Sequence, residues 1–216
     1  MNIYENRFHS GHLYLHIEDH EAKDIQVSRF EELIDKYNKP LQIITPSNSD
    51  QLISLLDEAG FLLKRKCYEM HVGVSDLNYP MPNHLPKIID TQKGMQDYTK
   101  CADMMYHYYC DTHFPINPMT ASISEFYELL PDVAVYSVVD DMINAAAFIE
   151  ENEIAYVCSY NRRGFSEFAQ SLLSYMFSNY ERIFFEADDT DWAATQLRAM
   201  FSVANIFSYN TYVKSR

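Results

Sequence analysis

Apolar and polar positions along this chain follow two periods, and their alternation lays out the elements. Leu13 to Ile17 reads Leu, Tyr, Leu, His, Ile, the two-residue period of a half-buried strand. Val27, Phe30, Leu33, Ile34 and Tyr37 then recur at helical spacing, and Lys39-Pro40 ends that helix. Leu41 to Ile44 reads as a second strand. Ser49 or Asp50 can cap a second helix carrying Leu52, Ile53, Leu55, Leu56 and Ala59, which Gly60 stops. Phe61 to Val72 is a third strand, so the opening order is β-α-β-α-β.

The same order returns at the far end. A strand at Ile154–Tyr160 leads to a helix at Phe165–Asn179, whose Phe165, Phe168, Ala169, Leu172, Leu173, Met176 and Phe177 form one apolar stripe. A strand at Arg182–Ala187, a helix at Thr190–Ala204 and a strand at Phe207–Val213 follow. This recurrence reads as an internal structural repeat. Between the two copies, Leu77–Pro86 is rich in Pro and Asn and reads as a linker. It is followed by a strand at Lys87–Asp90, helices at Met95–Tyr109 and Ser122–Leu130, and a hairpin of Val133–Val139 and Met142–Glu150 turning at Asp140-Asp141. The expected division is residues 1–80 against 85–216.

Chemistry concentrates where the strand Ile154–Tyr160 meets its helix. Asn161-Arg162-Arg163-Gly164 is a tight turn with two cations and a residue that tolerates positive φ. Unpaired amides at a helix start, reinforced by the helix dipole and nearby arginines, form an anion site. A phosphate-bearing molecule suits it.

The strand, turn and helix resemble the acetyl-CoA-binding segment of the GNAT N-acetyltransferase family, whose usual turn is Q/R-x-x-G-x-G/A. Asn161, Arg162, Arg163, Gly164, Phe165 and Ser166 occupy it here; Gly164 matches, Asn161 replaces the long polar residue and Ser166 the second small one. From Lys87 on, the order β-α-α-β-β-β-α-β-α-β is that of a whole GNAT domain. The resemblance implies an α/β protein with a mixed sheet and the acyl-CoA N-acyltransferase fold. It has a full domain at 85–216 and a partial, degenerate N-terminal GNAT-like half at 1–80, in tandem. The first half's connection Glu18–Gln26 has no glycine and carries Glu18, Asp19, Glu21 and Asp24, so no cofactor is expected there.

The same resemblance implies acetyl-CoA as co-substrate, held by the turn and by backbone of Tyr156, Val157 and Cys158, and acetyl transfer to a primary amine of a small molecule or peptide by direct attack. Glu186, at the end of a strand after Ile183, Phe184 and Phe185, is the candidate base. The family's thiolate-protonating tyrosine falls at Phe201, counted back from Asn205, and has no hydroxyl; Ser202, Tyr209 or water are the substitutes. That gap motivates a rival reading, a non-catalytic CoA-sensing or dimerisation module of the same fold, which would make a homodimer. Aminoacyl transfer by tandem Fem-type ligases is a further enzyme reading, disfavoured by the acidic balance. His107 and His113 flank Tyr108, Tyr109, Cys110 and Asp111 in the region that helps form the family's acceptor pocket.

Composition narrows the rest. With 216 residues, 47% hydrophobic and 14% aromatic, the chain can bury a sizeable core. A formal charge of −14 argues against nucleic acid and suits a cationic acceptor, though an acidic, soluble surface carries the same charge. No apolar run approaches the roughly 20 residues that span a bilayer, and a cytoplasmic protein without membrane partners is expected. Cys67, Cys101, Cys110 and Cys158 lack metal-ligand spacing, and His16 and His20 begin in a strand, so no metal is expected.

Overall fold

Helices begin and end where local chemistry permits, and this sets the element order. The computed structural model describes residues 1–203 and 207–215. Along the chain run β1 (Asn2–Tyr4), β2 (Leu13–His16), α1 (Ser28–Tyr37), β3 (Leu41–Pro46), α2 (Asp50–Glu58), β4 (Leu62–Gly73) and β5 (Ile89–Gln92). Then come α3 (Gln96–His113), α4 (Ile123–Leu129), β6 (Val133–Val139), β7 (Met142–Glu150), β8 (Glu153–Ser159), α5 (Phe165–Asn179), β9 (Arg182–Asp188), α6 (Trp192–Arg198) and β10 (Tyr209–Lys214). Asn38 ends α1 in the left-handed region at φ 53°, and Gly60 does the same after α2 at φ 77°. Asp140 and Asp141 both take positive φ, the turn that matches the twist of a β6–β7 hairpin.

Two compact units divide the chain: residues 1–68, 113–121 and 206–216 form the first, and 69–112 with 122–205 form the second. In the first, β2 and β3 run parallel, and β10 lies antiparallel between β3 and β4. Leu13, Leu15, Phe30, Leu33, Leu41, Ile43, Leu52 and Leu56 build its core from one sheet face and the inner stripes of α1 and α2. A short 3-10 helix, Asp19–Asp24, fills the connection before α1, and Asp19 Oδ1 accepts the Leu52 amide at 2.9 Å.

In the second unit the antiparallel order is β5, β6, β7, β8, and β9 joins β8 in parallel. The second half of β4 follows β9. The inner face of α5, with Phe165, Phe168, Leu172, Leu173 and Met176 at most 1% exposed, is wholly dry. Each such side chain contributes about 1.5–3 kcal/mol on burial. Tyr98 anchors α3 by donating to the Pro131 carbonyl at 2.8 Å and packing edge-on against Phe148.

Several expected boundaries move. The break lies at Tyr68, inside β4, in place of residues 80–85, and β10 belongs to the first unit because it pairs with β3 and β4. The strand expected at Lys87–Asp90 is Ile89–Gln92, and α3 runs on to His113. Helix α6 stops at Arg198, well before Ala204; Phe201 forms a β-bridge with Leu77 and packs on Phe185 at 5.8 Å. The closing segment Ala204-Asn205-Ile206 lies outside the described residues.

His9 and His12 in the first unit are 4% and 8% exposed, and burial, first among the causes, lowers both pKa values. The unfolded chain therefore takes up these protons first as pH falls. Stability is fully present above about 6.5, the ordinary histidine value, and declines below it towards the lowered folded-state values. Urea unfolding between pH 7 and pH 5 should show this loss, and His12→Asn, which keeps a donor for Gln42, should flatten part of it.

Candidate functional site

The site begins with an irregularity in β8. Phe148 of β7 faces Tyr156, but its neighbour Ile149 faces Ile154, so Ala155 is an extra residue bulged out of the ladder. A bulge bends its strand and increases local twist. Among the described residues β9 pairs with β8 at Glu153↔Phe184 and Ile154↔Phe185, and the register stops there, one residue before the bulge. From Ala155 to Ser159 the β9 side of β8 is a wedge between parallel strands that have parted.

The wedge opens towards the turn. Tyr160 N–H donates to the Asn144 carbonyl at 3.1 Å, Ser159 Oγ lies 2.9 Å from the carbonyl oxygens of both Asn144 and Asn161, and Asn161 Nδ2 donates to Asn144 Oδ1 at 3.0 Å. Asn161 thus fixes the turn to β7. Gly164 sits at φ 82° immediately before α5, and no side chain caps that helix, whereas Ser122 caps α4 and Asp191 caps α6. Residues Asn161 to Gly164, with Ser166 and Glu167, are exposed. The amides of Phe165, Ser166 and Glu167 therefore head the helix dipole in solvent reach. A Cβ on Gly164 would meet only Asn144 Nδ2, at 3.8 Å, so this bend is open in front of the helix.

The other residues singled out in the sequence divide by role. Phe165 is fully buried against Trp192, 5.2 Å between ring centroids, and can offer only its amide. Val157 and Cys158 are buried too, so they can offer backbone alone, and burial pushes the Cys158 thiol well above its usual range. Tyr156 is half-buried, its ring 6.0 Å from Phe126 and 6.5 Å from Tyr109. Arg162 lies over Trp192, guanidinium carbon to ring centroid 5.5 Å, and Arg163 is exposed beside it.

Glu186 does not stand in apolar company, although its sequence neighbours are apolar. Ile183, Phe185 and Ala187 turn into the core, and Glu186 faces the opposite, exposed side of β9. Its charge reaches Tyr156, whose hydroxyl is pushed up by burial first and then by Glu186 and Glu153. Glu186 and the wedge are thereby neighbours. The segment from His107 to His113 divides: His107 rests edge-on against Tyr106, while His113 belongs to the first unit and accepts from Arg65 at 2.9 Å. Among the described residues no group of three His, Cys, Asp or Glu is placed to hold a metal, and no helix is long and apolar enough to cross a membrane.

Three contacts escaped the sequence. Asp191 caps α6 by accepting from Ala193 and Ala194 amides at 2.9 and 3.1 Å, and Tyr108 of α3 donates to the same carboxyl oxygen. Trp192 then closes the corner between α6, Phe165 and Arg162. An Asp just before a helical run signals a cap; the Tyr108 and Trp192 contacts have no local signal.

Neither a family model nor a curated protein matches this sequence. Solved structures do. The chain is similar to a GCN5-related N-acetyltransferase from Sphaerobacter thermophilus at TM-score 0.57 and 13% identity, over 99% of this chain and 75% of that one. A GCN5-related N-acetyltransferase from Kribbella flavida gives TM-score 0.53 and 12% identity over 97% and 83%. A conserved protein of unknown function from Staphylococcus epidermidis gives 0.54 and 16% over 95% and 84%. At such identities the likeness speaks of architecture, and with the mixed sheet described above, this chain has the acyl-CoA N-acyltransferase fold of the GNAT proteins.

Proposed function

We propose that the second unit binds acetyl-CoA and transfers its acetyl group to a primary amine. One observation carries this reading: the bulge at Ala155 parts β8 from β9 immediately before a helix whose first amides have no side-chain cap. In this reading the amides of Phe165, Ser166 and Glu167 donate to diphosphate oxygens, Gly164 lets those oxygens approach, and Arg162 and Arg163 add charge. Ala155 to Ser159 offer backbone groups to an extended amide-bearing arm, as an added strand would. Bound acetyl-CoA supplies an acetyl group activated as a thioester. In this reading the acceptor nitrogen would bond to the acetyl carbon as the carbon–sulfur bond breaks, Glu186 would take the amine proton, and water would pass a proton to the departing sulfur and be restored by the one on Glu186. We read the first unit as a partial copy of the same plan, without a cofactor site because its corresponding connection is acidic.

The experiment is a fluorescence titration. Trp192 is the chain's single tryptophan, and its cation partner Arg162 belongs to the phosphate turn. A phosphate that recruits Arg162 away from the ring changes the indole's surroundings, so emission should change saturably with acetyl-CoA below about 1 mM, the upper end of usual enzyme affinities. A flat titration removes the reading. Catalysis is tested separately: Glu186→Gln should lower kcat by roughly a hundredfold, the usual contribution of a general base, with acetyl-CoA affinity unchanged. A second reading is favoured by Phe201, packed between Phe177 and Phe185 without a hydroxyl to offer. There the protein binds CoA as a sensor, and the titration succeeds while no amine of a broad panel is acetylated.

A further inference from the structure

The first unit's sheet has a second face, turned away from α1 and α2, and around Tyr14, Gln42 and Thr211 it is buried and polar. Leu41 and Ile43 point into the apolar core, so Gln42 between them points the other way, and it is 0% exposed. Tyr14, 2% exposed, is its neighbour across the parallel β2–β3 pair, and Thr211 brings Arg65 to the same face. Residues 113–121 and the stretch from His9 to His12 lie over it. Asn117 Nδ2 donates to Tyr14 Oη at 3.3 Å, Arg65 Nη1 donates to His113 Nε2 at 2.9 Å, and the His113 ring stacks on His9 at 5.4 Å.

Two atoms in this cluster are orphaned. Among the described residues Gln42 Nε2 and Asn117 Oδ1 are buried without a hydrogen-bond partner. His12 Nδ1–H donates to Gln42 Oε1 at 2.9 Å, which directs the Nε2 end away from His12. Turning either amide over only exchanges which of its atoms is orphaned. Buried polar atoms without partners are rare in folded proteins and point to something that completes them. Here the open valences are a donor at Gln42, the Tyr14 hydroxyl proton and an acceptor at Asn117, beside the Arg65 guanidinium that already gives Nη1–H to His113.

We propose that this covered face binds a small 2-hydroxy carboxylate. Its carboxylate is received by Arg65, Gln42 Nε2 and Tyr14 Oη, and its hydroxyl donates to Asn117 Oδ1. A planar carboxylate matches a guanidinium fork. A 2-amino acid offers the same donor to Asn117, but its ammonium would stand beside Arg65 and be repelled. The arrangement shares no residue with the wedge of the second unit.

The test uses the full chain with sodium glycolate and sodium lactate as probes, and sodium acetate and sodium chloride at matched ionic strength as comparators. Glycolate or lactate should raise Tm with the logarithm of its concentration above Kd, by about 3–6 °C at ten times Kd. Acetate, lacking the hydroxyl, should bind about tenfold more weakly. Gln42→Leu, which fills the same buried strand position with apolar volume, should lose the response, and so should Asn117→Ala if the first variant does not fold. No rise with either hydroxy acid, or an equal rise in both wild type and the folded variant, overturns the site. Equal responses to acetate and glycolate overturn the role of Asn117.

Discussion

Gly164→Glu should abolish acetyl-CoA binding while leaving the circular dichroism spectrum unchanged. The carboxylate would stand in front of the Phe165, Ser166 and Glu167 amides, where diphosphate oxygens are expected, and repulsion between like charges at a binding contact costs several kcal/mol. About 3 kcal/mol corresponds to roughly a hundredfold in affinity. The fold survives because the position is exposed and a Cβ there meets nothing closer than 3.8 Å. The residual cost is that of a non-glycine residue at φ 82°, of order 1–2 kcal/mol. The check is the Trp192 titration repeated on the variant. Wild-type affinity in Gly164→Glu would mean the turn is not the phosphate site, whatever the protein binds elsewhere.

The largest stability effect outside the apolar cores is expected at Asp191. Its carboxyl accepts from two α6 amides and from Tyr108, so Asp191→Ala removes a helix cap and strands a buried hydroxyl together. A lost cap costs about 1 kcal/mol and an unpaired buried group about 1–3 kcal/mol, giving a fall in Tm of about 4–16 °C. Asp191→Asn keeps the accepting oxygen and should cost much less. Burial, the leading cause, raises the Asp191 pKa above its usual value. The folded protein therefore holds this proton at a pH where the unfolded chain has released it. That contribution to stability is complete below the unfolded value of about 3.9 and is lost as pH rises through the higher folded value. Thermal melts of Asp191→Asn across pH 3 to 7 should lack this component, and a wild-type slope in the variant would assign it to another group.

The elements most legible in the sequence were those whose own side chains carry the whole signal. Helix α5 is bounded by Phe165 and Asn179, as its stripe of seven apolar positions implies, and β6 runs from Val133 to Val139 as its valines do. Strand β1 was invisible because Asn2, Ile3 and Tyr4 are all exposed and owe their conformation to pairing with β2. Helix α6 was read too long because Met200 and Phe201 continue its apolar spacing. They are buried all the same, but Phe201 bridges Leu77 in place of extending the helix. At the site, Gly164 announced the turn through the demand for positive φ. The wedge did not announce itself: β8 reads as an unbroken strand, and a bulge at a small residue such as Ala155 has no periodic mark. Nor could spacing join Tyr108 to Asp191, 83 residues apart.

Strand β4 begins in the first unit and ends in the second, and β10, which follows the second unit's strands in sequence, returns to the first to lie beside it. Cutting the gene between the two sequence halves would therefore leave main-chain groups unpaired in both fragments: β3 and β4 without β10 in one, β9 and β10 without β4 in the other. Ribosomal synthesis imposes the same order, since the first unit's sheet stays open between β3 and β4 until Tyr209–Lys214 emerges. The first unit's sheet thus closes only after all the strands of the second unit have been made.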